Sequence, residues 1–307
     1  MQPYLRLFLT DADNPFEQMH AESAAVAAER LGARLEVQFA GGDFSVQVRQ
    51  IYESTHREGD KPDVVLVMPV KEAALRSLSE TTVSAGVGWV FLNRLAGTIE
   101  GLRQVNPRML VAFVAPDQKH IGRIHARQAR LLLPQGGSVL YVHGRITTSS
   151  AEARQAGFRE ALAMPGPPID VVACLDGNWN SQDTQSVLTR WLQLMVPAKL
   201  RLDAIVCQSD FMAAGALEAL RATAERLNNP MVARLPVLGC DGLTSVGKKL
   251  VDDGRLAATV VVPTSSDKAV ELVVAAYRGA SLPAEVLLEP RAYPDDVTLM
   301  RQHRQTA

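Results

Sequence analysis

Short apolar runs alternate with helix-length amphipathic segments from one end of this chain to the other. The runs, in order, are LRLFLT, RLEVQFA, DVVLVMPV, WVFLN, MLVAFVA, SVLYVHG, DVVACLD, AIVCQS, PVLGCD, AATVVVP and EVLLEP. Nearly continuous apolar strands separated by helices are typical of parallel sheets that are covered on both faces. Ten or eleven strands are too many for one comfortable open sheet. The sequence therefore predicts an α/β fold with two doubly wound parallel sheets.

The length and charge of the chain exclude several classes of protein. With 307 residues it is long enough for two domains, and 32 Lys and Arg against 33 Asp and Glu give a formal net charge of −1. The absence of a basic block argues against nucleic-acid binding. No apolar stretch has the length of a membrane span, so we expect no direct membrane insertion.

The N-terminal stretch MQPYLRLFLTD lacks the long apolar core and the small-residue cleavage site of a signal peptide. We expect the protein to be cytoplasmic if Met1 is the native start, and periplasmic if a leader has been removed.

The three cysteines and six histidines do not form a recognisable metal motif. Cys174, Cys207 and Cys240 lie in apolar runs without a CxxC pair, so we expect three buried thiols. The histidine spacings match no metal-binding signature, and we expect these side chains to be surface or ordinary polar groups. The sequence predicts neither a metal ion nor a cofactor.

One segment, PVLGCDGLTSVGKKL at residues 236–250, matches a phosphate-binding P-loop over Gly242, Gly247 and Lys248. A P-loop then requires a Ser or Thr hydroxyl to hold Mg²⁺, and Lys249 cannot supply one. No nucleophile elbow or comparable catalytic cluster is present either. We interpret the segment as the start of a helix, expect no enzyme activity, and regard Asp241 as its functional residue.

Polar side chains follow almost every predicted strand. In open α/β sheets, ligands bind beyond the carboxyl ends of the strands. The segments at these ends, among them DADNPF, NRL, DGNWN and CDG, contain acids, amides, guanidinium groups and aromatic rings. Carboxylates and guanidinium groups bond adjacent hydroxyls, and ring faces cover C–H surfaces. The combination favours a polyhydroxylated small molecule as ligand.

The order of several motifs resembles a known family. These are DNPF, FLNR, APDQKHIG, EARQAGFREAL, DGNWN, VCQSDFMAAGALEAL, LGCDG and GRLAATV. Over nearly its whole length the chain resembles type I periplasmic sugar-binding proteins of the ribose and galactose kind, and the similar effector domains of lactose-repressor-type regulators. The resemblance implies two lobes joined by a three-strand hinge, with a ligand cleft between them. We expect the N-terminal lobe over 1–115 plus 264–290 and the C-terminal lobe over 118–262 plus 292–307.

The resemblance also implies a set of ligand-binding positions. Glu17 stands where a second aromatic residue is usual, and Val262 stands where ribose-type proteins have a ligand-binding Gln. Two further candidates depart from the family pattern, since Asn93 replaces an Asp and Ser209 replaces an Asn. The ligand-binding candidates are Asn14, Phe16, Asn93, Arg94, Arg154, Trp179, Ser209 and Asp241.

The function implied by the resemblance is capture of a small polar ligand, expected to be a sugar, by hinge closure. The closed form would be delivered to the permease subunits of an ABC importer, with the binding protein acting as a monomer. Two alternatives stay open on the sequence: a ligand-sensing effector domain of a transcriptional regulator, and an accessory sensor for a signalling kinase.

Overall fold

The computed structural model describes residues 2–56 and 59–306, with side chains described as far as residue 302. The strands are β1 Tyr4–Leu9, β2 Arg34–Phe39, β3 Val64–Val67, β4 Gly88–Leu92, β5 Val111–Pro116, β6 Gly137–His143, β7 Ile169–Asp176, β8 Ala204–Cys207, β9 Val237–Leu238, β10 Thr259–Val261, β11 Glu285–Leu288 and β12 Arg291–Tyr293.

Helices follow most of these strands. They are α1 Pro15–Leu31, α2 Phe44–His56, α3 Arg76–Ser84, α4 Ile99–Val105, α5 Gln118–Leu132, α6 Ser149–Leu162, α7 Ser181–Met195, α8 Asp210–Arg226, α9 Lys249–Asp252, α10 Ser265–Tyr277 and α11 Asp296–Thr306. Short 3₁₀ turns lie at Glu72–Ala74 and Val232–Arg234, and a π-helical turn lies at Thr244–Lys248. Within the described ranges, no helix has both the length and the apolarity that crossing a bilayer needs.

The chain divides into two compact units. Unit 1 runs to Pro116 and resumes over Pro263–Leu288, and unit 2 comprises Asp117–Val262 and the residues from Glu289 onward. Unit 1 contains a six-stranded parallel sheet in the order β11-β5-β4-β3-β1-β2. Strands β3 and β4 are buried throughout, as central strands rich in Val and aromatic residues should be.

Unit 2 contains a four-stranded parallel sheet in the order β7-β6-β8-β9. Isolated parallel bridges from Leu238 to Ala258 and from Asp241 to Val261 continue it towards β10. Strands β10 and β12 form a separate antiparallel pair. The α/β fold with parallel sheets predicted from the sequence is therefore confirmed, although the strand pattern missed β12.

Two pairs of helices in unit 2 pack through glycine. A Cβ atom on Gly157 of α6 would lie 2.1 Å from the carbonyl oxygen of Lys119 in α5, and one on Gly122 would lie 2.1 Å from the carbonyl oxygen of Arg154. A Cβ atom on Gly215 of α8 would similarly lie 2.2 Å from the carbonyl oxygen of Ser181 in α7. These helix backbones touch directly, which no residue other than glycine allows.

Three predictions about single side chains are wrong. Cys174 is exposed, because β7 is the edge strand of its sheet and has one face on which Asp170, Cys174 and Asp176 are exposed. His20 and His125 are fully buried and not at the surface. Burial lowers the pKa of His20 to about 3 and that of His125 to about 4, so both rings stay neutral near pH 7.

Candidate functional site

In unit 1, the candidates lie after the carboxyl ends of β1 and β4, which flank β3 in the sheet. Asn14 is the N-cap of α1: its side-chain oxygen accepts a hydrogen bond from Phe16 N at 3.0 Å, and Pro15 follows at the first helical position. Phe16 is buried, and its ring lies 4.5 Å from the ring of His20. The cap therefore fixes the position of Phe16 at the start of the helix.

Glu17, at the position where the family has a second aromatic residue, is buried and bonds the preceding loop. Its carboxylate accepts hydrogen bonds from Thr10 N at 2.8 Å and from Thr10 Oγ1 at 2.7 Å. Burial raises the pKa of Glu17, while those two hydrogen bonds and the charge of Arg94 oppose the rise. Glu17 thus ties α1 to the end of β1.

Asn93 and Arg94 follow β4 directly. Asn93 is buried in the left-handed region with φ 63°, a conformation that Asn tolerates better than most residues. This turn directs Arg94 across the neighbouring strand end, where its Nη1 donates to Pro69 O at 2.9 Å. Arg94 as a whole is half-buried.

Arg154 of α6 is the centre of the candidate site in unit 2. Only 2% of the residue is exposed, and its Nε donates to Gln118 Oε1 at 2.7 Å. Its Nη1 donates to the backbone oxygen of Gln208 and lies 3.4 Å from the sulfur of Cys240. A buried guanidinium needs such partners because an unpaired buried charge is costly. The close packing of α5 on α6 brings Gln118 within reach.

The side chain of Gln208, at the end of β8, joins three neighbouring segments. Its amide donates to Tyr141 Oη at 3.0 Å and to Ala151 O at 2.9 Å, and its oxygen accepts from Gly144 N at 3.1 Å. Gln208 is fully buried, so this network holds the ends of β6 and β8 in one arrangement.

Trp179 presents a flat apolar surface beside Arg154. Its ring centroid is 5.5 Å from the Arg154 guanidinium carbon, within the range of a cation–π interaction. The indole also packs on Gly144, where a Cβ atom would come within 2.0 Å of the ring. Trp179 has φ 59° and Asn178 has φ 52°, so the turn after β7 holds two consecutive residues in the left-handed region.

Asp241 lies beside the same guanidinium. It is 5% exposed, and its Oδ1 is 3.8 Å from Arg154 Nη1. Burial raises the pKa of Asp241 to about 7, although Arg154 and a backbone hydrogen bond act in the opposite direction. Burial thus favours the neutral form of this carboxyl group, whereas the adjacent permanent positive charge favours the ionised form.

Ser209, the last candidate, precedes α8 and caps it: Ser209 Oγ accepts from Met212 N at 3.1 Å. Unit 2 therefore brings Arg154, Trp179, Ser209 and Asp241 to the same end of its sheet. Sequence reasoning missed Gln118 and Gln208. Both stand inside the quoted motifs, yet nothing in a sequence shows that a glutamine bonds a particular arginine.

The P-loop-like segment does not form a phosphate site. Gly242 and Leu243 are followed by the π-helical turn Thr244–Lys248, which leads directly into α9, so the predicted helix start is present in π-helical form. The carboxylate of Asp210 fills the space beside Gly247, where a Cβ atom would lie 1.9 Å from Asp210 Oδ2. Within the described residues, no group of three or more His, Cys, Asp or Glu side chains could hold a metal ion.

A sequence profile of the family described as periplasmic binding protein domain matches residues 6–281. Because the match covers most of the chain, the protein belongs to this family of binding proteins.

Relatives with assigned ligands support the same placement. The ribose import binding protein of Salmonella typhimurium is 26% identical over 298 residues, covering 96% of this chain and 90% of the relative. The D-ribose/D-allose-binding protein of Pseudomonas aeruginosa is 26% identical over 263 residues, covering 84% and 76%. A Caulobacter myo-inositol binding protein, solved with myo-inositol bound, superimposes with a TM-score of 0.81 at 25% identity over 97% of this chain and 95% of that one.

Proposed function

We propose that this protein binds one small, neutral, polyhydroxylated molecule, a sugar or a cyclitol. The observation that carries the proposal is the buried pairing of Arg154 with Asp241 beside the indole of Trp179. A guanidinium and a carboxylate side by side offer donors and acceptors to adjacent hydroxyls, and an indole face covers a C–H surface.

The charges of the candidate residues favour a neutral ligand. In unit 2 the guanidinium of Arg154 lies beside the carboxyl group of Asp241, and in unit 1 the charge of Arg94 acts on the carboxyl group of Glu17, so each cation already has an acidic neighbour. A charged ligand would leave one buried charge without compensation in either unit, which is energetically costly.

We further propose that ligand contacts come from both units and that hinge closure follows binding. Only contacts made in the closed form can shift the population towards it. The expected result is a smaller radius of gyration in small-angle scattering when ligand is added, and an unchanged radius at saturating ligand would contradict closure.

A thermal-shift panel tests the ligand class. We would add D-ribose, D-allose, D-xylose, xylitol and myo-inositol separately at millimolar concentration, because a ligand that binds the folded state raises the melting temperature. At least one is expected to do so. If all five, and a wider set of hexoses, left the melting temperature unchanged, the proposed ligand class would be wrong.

Calorimetric titration of the stabilising compound then tests the site. Asp241→Ala and Arg154→Ala are expected to weaken affinity about tenfold or more, because each removes a charge-assisted hydrogen bond to a hydroxyl. Asp203→Ala provides a matched control in the same unit, since Asp203 bonds Ser138 N at the opposite end of the sheet. Unchanged affinity in the Asp241 variant would exclude this residue from the site.

We also propose that the protein works in the periplasm as a non-catalytic receptor and delivers its ligand to an ABC importer. The import function named for the Salmonella relative supports this. Cells of the source organism that lack the gene should take up the radiolabelled ligand poorly, the intact gene should restore uptake, and Asp241→Ala should not. Uptake that is independent of the gene would contradict the delivery role.

A further inference from the structure

Asp210, the first residue of α8, is fully buried behind the candidate site of unit 2. Its carboxylate accepts three hydrogen bonds: from Leu243 N at 3.1 Å, from Gly242 N, and from Thr259 Oγ1 at 2.6 Å. The donors come from the loop after β9 and from β10. One side chain thus ties the start of a helix to both segments that border Asp241.

The loop after β9 is shaped around this carboxylate. Cβ atoms on Gly239 and Gly247 would lie 2.4 Å and 1.9 Å from its two oxygens. A helix start with exposed amides is a ready-made anion site, and here the protein's own carboxylate occupies it. Gly247, one of the two glycines that give the segment its likeness to a P-loop, makes room for Asp210 and leaves no space there for a phosphate.

The connection runs in the other direction as well. The backbone N–H of Asp210 donates to Cys240 O and also bonds the carboxylate of Asp241. Asp210 and the segment 240–243 therefore hold each other through side-chain and backbone contacts. Displacing either one removes bonds from both.

Asp241 requires this support because its backbone is strained. Its φ is 111°, outside the left-handed region that non-glycine residues occasionally adopt. Such a conformation is energetically costly and persists only where surrounding contacts over-determine it. The bridge to Val261 and the hydrogen bond from Asp241 N to Val260 O at 2.9 Å supply part of that restraint.

We propose that Asp210 is a positioning residue for ligand binding: it holds the strained loop so that the Asp241 carboxylate stays beside Arg154. This inference rests on the proposed function, in which Asp241 contacts the ligand. Asp210 itself does not touch the ligand, since its carboxylate is already bonded to the protein's own donors.

The hydroxyl of Thr259 allows a test with minimal change in shape. Thr259→Val removes one hydrogen bond to Asp210 and keeps the volume of the side chain, whereas Thr259→Ser keeps the bond. Asp210→Asn is the stronger variant, because it turns an NH₂ group towards amides that can only donate. Asp203→Asn is the control: its carboxylate accepts from Ser138 N at 2.7 Å at the far end of the sheet.

Two measurements separate positioning from general stability. The first is hydrogen exchange of the Gly242 and Leu243 amides in the free protein, which needs no ligand. Exchange is expected to be about tenfold faster in Thr259→Val, and faster still in Asp210→Asn, with Thr259→Ser and Asp203→Asn close to the wild type. Unchanged exchange in both Thr259→Val and Asp210→Asn would overturn the proposal.

The second measurement is affinity for myo-inositol and D-ribose, used as probes in titration calorimetry. Thr259→Val is expected to bind several-fold more weakly than Thr259→Ser, while Asp203→Asn lowers the melting temperature but leaves affinity unchanged. Faster exchange without loss of affinity would show that Asp210 is only structural and would overturn the positioning role.

If the wild type bound neither these probes nor any other sugar or cyclitol, the proposed function would fail, and the positioning role with it. The exchange result would then establish only a structural contact.

If Asp210→Asn does not fold, the paired Thr259 variants still decide the question.

Discussion

At the start of α1 in unit 1, Asn14 and Glu17 bond neighbours in the sequence, whereas Arg154 in unit 2 bonds distant residues. Asn14 bonds a residue two positions away and Glu17 one seven positions away. In unit 2, by contrast, Arg154 bonds residues 36, 54 and 86 positions away. A loop that is fixed locally tolerates changes elsewhere in its unit. The arrangement around Arg154 depends on the packing of α5, α6 and the sheet.

The largest effect is expected where that packing is tightest. Gly157→Ala would place a Cβ atom 2.1 Å from the Lys119 carbonyl oxygen and force α6 away from α5. We expect a loss of about 3 kcal/mol in the free energy of unfolding, since overpacking against a rigid backbone cannot relax easily. Denaturant titration measures it.

The same substitution should also weaken ligand binding, because it separates Arg154 from Gln118. The control is Arg159→Ala, an exposed position on the same helix, where we expect a change within about 0.5 kcal/mol. If Gly157→Ala were as stable as the wild type, unit 2 would not depend on this long-range packing.

The buried carboxyl pair of unit 2 makes stability depend on pH. Burial raises the pKa of Asp241 to about 7 from an unfolded value near 3.8, and burial together with the charge of Asp241 raises that of Asp210 as well. The folded protein therefore holds protons that the unfolded chain releases. The resulting stability is fully present below about pH 4 and is lost as pH rises through about 7.

Denaturant titrations at pH 5 and pH 8 check that stability falls as pH rises. Between these pH values the wild type should lose stability relative to Asp241→Asn, whose amide does not titrate. Taking the difference removes contributions from other groups, such as His20 and His125. A difference that stayed constant, or that grew in favour of the wild type at pH 8, would contradict the raised pKa values.

A smaller and more local effect is expected in unit 1. Glu17→Gln keeps one acceptor for Thr10 and replaces the other by an NH₂ group, so one of two hydrogen bonds is lost. We expect a loss of about 1 kcal/mol in unfolding free energy. Glu22→Gln, at an exposed position on the same helix, should be neutral. NMR shift changes that spread beyond residues 9–18 and their immediate neighbours would contradict local fixation.

The difference between local and distant contacts also explains what could be predicted from the sequence. The alternation of apolar runs and helices was sufficient for the α/β fold with parallel sheets, because strand and helix periodicity are local properties. The cap formed by Asn14 and Pro15 was also visible, since capping involves adjacent residues. The roles of Gln118 and Gln208 were not visible, because only the folded chain brings them to Arg154.

The errors have physical reasons of the same kind. Cys174 lies in an apolar run, but the sequence does not reveal that β7 is an edge strand with an exposed face. His20 and His125 are polar residues on amphipathic helices, and only packing decides that they lie inside. The π-helical turn at Thr244–Lys248 accommodates Asp210, which is 34 residues earlier than the start of that turn and outside any local pattern.

The smallest effect is expected for an exposed ion pair between distant residues of unit 2. Lys119 and Glu160 join α5 to α6 by an ion pair of 2.7 Å, across 41 residues, but both side chains are about half exposed. An exposed pair is weakened by solvent and by the entropy of two flexible side chains. Lys119→Met should therefore change the unfolding free energy by less than about 0.5 kcal/mol, and added salt should reduce even that difference. The measurement is a denaturant titration at low and high salt. The expected small loss would attribute the stability of unit 2 to its buried contacts. A loss comparable to that of Gly157→Ala would instead show that exposed contacts between distant residues stabilise unit 2 as strongly as buried ones.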